Sequence, residues 1–94
     1  MNEELKALVA YRLEQADECL EAAQILLERD MCRGAVNRSY YAMFYGVLAL
    51  LALKGQETSK HTGAIALFDR DFVKVGLFGP DLSTWLHETF YLRL

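Results

Sequence analysis

Residues 40–53 constrain this chain more than any other stretch. Tyr40, Tyr41, Ala42, Met43, Phe44, Tyr45, Val47, Leu48, Leu50 and Leu51 turn apolar surface to nearly every side of a helix. The run is shorter than the roughly 20 residues that cross a bilayer, and it carries Tyr40, Tyr41 and Tyr45. It therefore reads as a core helix. A helix that is apolar all round must be covered all round, and the rest of a small chain covers only part of it. The expectation is a homodimer with part of this helix at the subunit interface, contributed by Tyr40, Phe44, Tyr45 and Leu48.

The flanking segments read as helices too. From 3 to 29, Leu5, Leu8, Val9, Ala16, Leu20, Ala23, Leu26 and Leu27 recur at helical spacing. Glu3, Glu4, Glu14, Asp17, Glu18, Glu21 and Glu28 fall mostly on the opposite, solvated side. Those carboxylates wind around the helix instead of converging, so no metal site is expected. Asp30-Met31-Cys32-Arg33-Gly34 reads as a break, and the second helix is expected from about 35 to 54. Lys54-Gly55 supplies a stop: a cation for the last turn, then a residue free to take positive φ. Thr58 or Ser59 is a candidate cap for a third helix from about Lys60, striped by Ile65, Phe68, Phe72 and Val75 and ended at Gly76. Gly79-Pro80-Asp81 opens a fourth, with Leu82, Trp85, Leu86, Thr89 and Phe90 as its inner face. Residues 91–94 stay helical in pattern without a cap signal, so the helix either runs on or lacks a final piece. No segment alternates with period two. The expected fold is all-α: an up-and-down antiparallel four-helix bundle.

A length of 94 residues allows one domain, 1–94. The formal net charge of −3 argues against general nucleic-acid binding and gives no DNA-specific signal, while leaving room for a local basic patch. Cys19 and Cys32 signal neither a disulfide framework nor a zinc site. The acidic start, Met1-Asn2-Glu3-Glu4, is unlike a basic export leader. A cytoplasmic protein is expected, with no membrane association.

The familiar signatures of nucleotide hydrolases, dehydrogenases, zinc proteases and serine hydrolases are absent, and no cofactor is implied. Two places carry chemistry. In Asn37-Arg38-Ser39-Tyr40-Tyr41, a permanent cation and an amide stand beside tyrosines, with Arg29 and Arg33 just upstream. Asn37, Arg38 and Tyr41 suit a phosphate and a stacked base. Equally, Arg38 could pair with a glutamate of the first helix while Asn37 serves the backbone. In Lys60-His61-Thr62-Gly63, Lys60 and His61 sit where a helix start attracts anions, and His61 suits proton transfer near neutrality. The alternative is a hydrogen-bonded surface histidine. His87, among Trp85, Leu86 and Thr89, reads as a packing or interface residue.

These same segments carry a family resemblance. Asn37-Arg38-Ser39-Tyr40-Tyr41-Ala42-Met43-Phe44-Tyr45, the Ala/Leu-rich stretch to Lys54-Gly55, then Lys60-His61-Thr62-Gly63-Ala64-Ile65-Ala66-Leu67-Phe68 and Phe72-Val73-Lys74 resemble the HEPN family. The resemblance implies an antiparallel helical bundle that commonly dimerises. It also implies a neighbouring minimal nucleotidyltransferase, often in a toxin–antitoxin pair. Many members are metal-independent ribonucleases, marked by an arginine four to six residues before a histidine. This chain departs from that mark, since no arginine precedes His61 or His87 at that spacing.

The leading expectation is a weakly catalytic or non-catalytic subunit. It binds nucleotide, RNA or a nucleotidyltransferase through Asn37, Arg38, Tyr41, Lys60 and His61, and needs Arg38 and His61 exposed in one groove. An active ribonuclease, with Arg38 on the phosphate and His61 moving protons, needs the two within a few ångströms. A purely structural dimer expects Arg38 in an ion pair with Glu14, Asp17 or Glu21.

Overall fold

Asn2 starts the first helix by accepting the Leu5 backbone N–H on its side-chain oxygen at 2.7 Å. The computed structural model of the chain describes residues 2–58 and 60–93. Among them are four α-helices, α1 (Glu3–Glu28), α2 (Cys32–Leu53), α3 (His61–Phe68) and α4 (Pro80–Leu92), and a π-helical turn over Asp69–Val73. The expected all-α bundle is what forms. α1 and α2 make a long hairpin, and α3 and α4 pack on the far side of α2, so α2 is the hub.

The core lies where α2 meets α3 and α4. Tyr40, Phe44, Val47 and Leu51 of α2 close against Ala64, Ile65 and Phe68 of α3, Phe72 of the π turn and Leu86 of α4. Each large side chain enclosed there contributes about 1.5–3 kcal/mol of burial free energy. Lys54 caps α2, and Gly55 follows at φ +72°, the left-handed conformation expected of it.

Several expectations need correction. The first break is shorter than its polar composition suggests: Asp30 itself takes the left-handed conformation (φ +57°), and α2 begins at Cys32. Arg33 and Gly34 therefore belong to its first turn. Thr58 does not cap α3; its hydroxyl accepts the Lys60 N–H within the preceding loop, and Lys60 is the N-cap residue. Ser59 lies outside the described residues. The π turn, closed by Lys74 N–H to the Asp69 carbonyl, adds a residue to one turn. Ile65, Phe68 and Phe72 stay inside, but Val75 falls off the stripe and is 64% exposed. On α4, Leu86 is buried while Trp85 is 56% exposed.

The expected interface set divides. Tyr40 and Phe44 are enclosed within the chain's own core, and Tyr45 and Leu48 are half-buried against it. α3, the π turn and α4 cover that face of α2, leaving Tyr40 and Phe44 0% and 6% exposed. The exposed large apolar residues lie mainly on α1 and α4 instead, Leu13, Leu20, Leu27 and Trp85 among them. No described helix is long and apolar enough to cross a membrane.

Candidate functional site

Because α2 starts at Cys32, Arg33, Asn37 and Tyr41 fall one above another along one helix face, four residues apart, with Arg38 beside them. α1 supplies the opposite wall through Leu26, and its approach is close: a Cβ at Gly34 would stand 3.1 Å from Leu26 Cδ1. The end of α4 brings in Arg93. Leu26, Arg33, Gly34, Asn37, Arg38 and Arg93 line an open groove of about 380 Å³.

The groove is cationic. Arg38 donates from Nε (3.0 Å) and Nη2 (2.7 Å) to Asn37 Oδ1, and from Nη1 to the Cys19 thiol at 3.7 Å. Its guanidinium lies 5.0 Å from the Tyr41 ring centre. Arg93 sits 4.6 Å from the Phe90 ring and 5.3 Å from that of Tyr40, with Nη1 3.4 Å from the Tyr41 hydroxyl. The ion pairs among the described residues are Lys6–Glu3, Arg70–Asp71 and His87–Asp69, and none involves Arg33, Arg38 or Arg93. The expected pairing of Arg38 with Glu14, Asp17 or Glu21 does not form, because those carboxylates point to solvent. Guanidinium charge left uncompensated by carboxylate attracts phosphate.

His61 adjoins this groove through Tyr41, whose ring meets the imidazole edge-on at 5.7 Å. The imidazole stacks on Phe44 with centres 4.2 Å apart and planes 4° from parallel. Its Nδ1 is 2.7 Å from the Tyr40 hydroxyl. Burial, then the nearby Arg93 charge, hold the His61 pKa below the ordinary 6.5, while burial pushes Tyr40 up to about 12. Tyr40 is thus a protonated phenol, and its hydroxyl has no other acceptor among the described residues. It donates to Nδ1, which puts the proton of the neutral imidazole on Nε2.

The structure brings Asn37, Arg38 and Tyr41 together and sets His61 beside them. Lys60 is exposed at the start of α3 and is not among the groove's lining residues. Arg38 and His61 share no hydrogen bond; the Tyr41 ring contacts both. Arg93 enters as a groove residue that the sequence pattern did not single out. Its one local signal is a cation at a helix C-terminus, and it does donate from Nε to the Phe90 carbonyl.

His87 forms a separate cluster. Asp69, on the π turn, accepts from Ser83 Oγ at 2.6 Å and lies 2.7 Å from His87 Nε2. This ties α4 to the π turn, in keeping with a packing role. Among the described residues no three His, Cys, Asp or Glu side chains converge as a metal site.

The sequence model of the HEPN domain matches residues 9–90 of the chain. A Thermotoga maritima protein named "UPF0332 protein" is 44% identical over 99% of this chain and 70% of its own length. Two proteins of Methanocaldococcus jannaschii are also similar. "Putative toxin MJ0605" is 40% identical over 99% of this chain and 69% of its own length. "Putative toxin MJ0142" is 35% identical over 86% of this chain and 55% of its own length. No solved structure matches.

Proposed function

The chain belongs to the HEPN domain family, and on that premise we propose that it is a toxin-like subunit that binds RNA or a nucleotide through phosphate in the Arg33–Asn37–Arg38–Arg93 groove. The observation that carries this reading is the uncompensated charge: three guanidiniums line one groove and none meets a carboxylate among the described residues. Tyr41 stands against two of them, a face on which a base can stack. Two similar proteins bear the name "putative toxin", which agrees with a toxin-like role. The proposed setting is a toxin–antitoxin-like pair with a minimal nucleotidyltransferase.

In this proposal the subunit is a homodimer, joined through α1 and not through Tyr40 and Phe44. Leu13, Leu20 and Leu27 recur every seven residues and are about half exposed. Leu13 also walls an apolar groove of about 320 Å³ floored by Met43, Gly46 and Leu50 and closed by Leu82. Ridge and groove are continuous, as a two-fold, self-complementary contact requires.

A labelled mixed-sequence RNA, titrated with the protein in the presence of chelator, tests the binding. Wild type is expected to bind with affinity that falls steeply as salt rises, and Arg38→Ala to bind about tenfold or more weakly. Absence of binding by folded wild type overturns the reading. One observation favours a second reading, a metal-independent ribonuclease: His61 is neutral, and its Nε2 has no protein partner among the described residues. Chelator-insensitive cleavage, lost in both Arg38→Ala and His61→Ala, would establish it.

A further inference from the structure

The way Arg38 is held carries one step more. A guanidinium has five N–H donors. Asn37 Oδ1 takes one from Nε and one from Nη2, and the Cys19 sulfur takes one from Nη1. Two donors remain, enough to face two oxygens of one phosphate. The anchors are a neutral amide and a thiol. The usual partner for a fixed guanidinium is a carboxylate, which gives the same fork geometry but cancels the charge. Asn37 holds the fork without cancelling it.

The same amide does a second job. Its Nδ2 donates to the Arg93 carbonyl at 3.1 Å, across 56 residues of chain. One side chain thus orients the Arg38 guanidinium on α2 and fixes the backbone that carries the Arg93 guanidinium at the end of α4. An aspartate has no donor for that carbonyl, and an alanine has neither function.

We propose that Asn37 is a positioning residue of the phosphate groove, which aligns Arg38 and Arg93 while leaving their full positive charge for the ligand. The proposal rests on the phosphate-binding reading above. It assigns Asn37 to the arginines and not to the ligand, and it makes the amide's neutrality the property that matters.

The test compares wild type, Asn37→Asp and Asn37→Ala in RNA titrations over a range of salt, beside their thermal unfolding. Both variants lose the donor to Arg93, and only Asn37→Asp keeps an acceptor for Arg38, so weaker binding by Asn37→Asp than by Asn37→Ala reports its added charge and not a lost anchor. Asn37→Asp is expected to bind about tenfold or more weakly and to lose roughly 0.7 from the slope of log affinity against log salt, one phosphate contact on a single strand. Its melting temperature should be no lower than that of Asn37→Ala, because it gains an ion pair with Arg38. Asn37→Ala should lose affinity by a few-fold while keeping the wild-type slope. If Asn37→Asp binds like wild type, or if the two variants lose equal slope, the inference is overturned while phosphate binding stands. If binding tracks melting temperature across the series, Asn37 is only structural and the inference fails. No binding by wild type overturns the parent reading and this one together.

Discussion

The Tyr40 hydroxyl and His61 Nδ1 stand 2.7 Å apart, joining the middle of α2 to the first residue of α3 beneath the Tyr41 ring. Tyr40 is fully buried and His61 is stacked on Phe44. The core and the candidate site therefore share this bond. A change on either side is felt in both stability and protonation.

The first consequence is a pH dependence of stability. His61 titrates lower in the folded chain than in the unfolded one, because of burial and then Arg93. As pH falls, the unfolded chain takes up the proton first. The stability tied to a neutral His61 is complete above about 6.5 and is lost as pH drops through the folded value. Thermal unfolding at about pH 7.5 and 5.5, where most carboxylates stay ionised, should show a larger loss for wild type than for His61→Gln. An equal loss in both would place the titration elsewhere.

Tyr40→Phe keeps the ring and its packing but removes the donor to Nδ1. The imidazole acceptor is left half-buried without a protein partner, at a cost of about 1–2 kcal/mol. Urea unfolding should give an earlier midpoint with an unchanged slope against denaturant. No change in midpoint would mean that another group satisfies Nδ1.

Arg93→Ala separates the charge on His61 from its burial. Removing the guanidinium takes away the second cause of the low pKa and leaves the first. The His61 ring resonances followed by NMR should titrate at higher pH than in wild type, yet still below the ordinary histidine value. RNA binding should weaken in the same variant, since Arg93 lines the groove. A His61 titration that does not move would show that Arg93 does not act on it.

Much of this architecture is legible in the chain itself. Capping and periodicity locate α1, α2 and α4 to within a few residues, because those signals are local. The π turn is not local. It forms where Phe68, Phe72 and Phe78 pack together, and the Phe78 N–H reaches the Phe72 carbonyl. No spacing within 61–75 announces that extra residue, so Val75 is misplaced. Arg38 and Asn37 stand out in sequence as a cation and an amide before an apolar run. Their grip on each other depends on rotamers, and the link to Arg93 on a contact across most of the chain. That Tyr40 and Phe44 are enclosed by their own chain was hidden for a related reason. An apolar helix signals that it is covered, but not by which chain.

Leu20 is 51% exposed in the middle of the Leu13–Leu20–Leu27 ridge, while Phe44 is buried. If α1 joins two copies, Leu20→Glu puts two like charges into an apolar contact near its centre and costs several kcal/mol of association. Within one chain the same substitution falls on a half-exposed helical position, so unfolding should change by only about 0.5–1 kcal/mol. Sedimentation velocity of wild type should show a dimer, and Leu20→Glu a folded monomer with an unchanged helical circular-dichroism spectrum. A dimer that survives Leu20→Glu would move the interface to α4, where Trp85 is the exposed aromatic nearest Leu82 and Leu86 in sequence. Trp85→Ala would then be the variant that dissociates it.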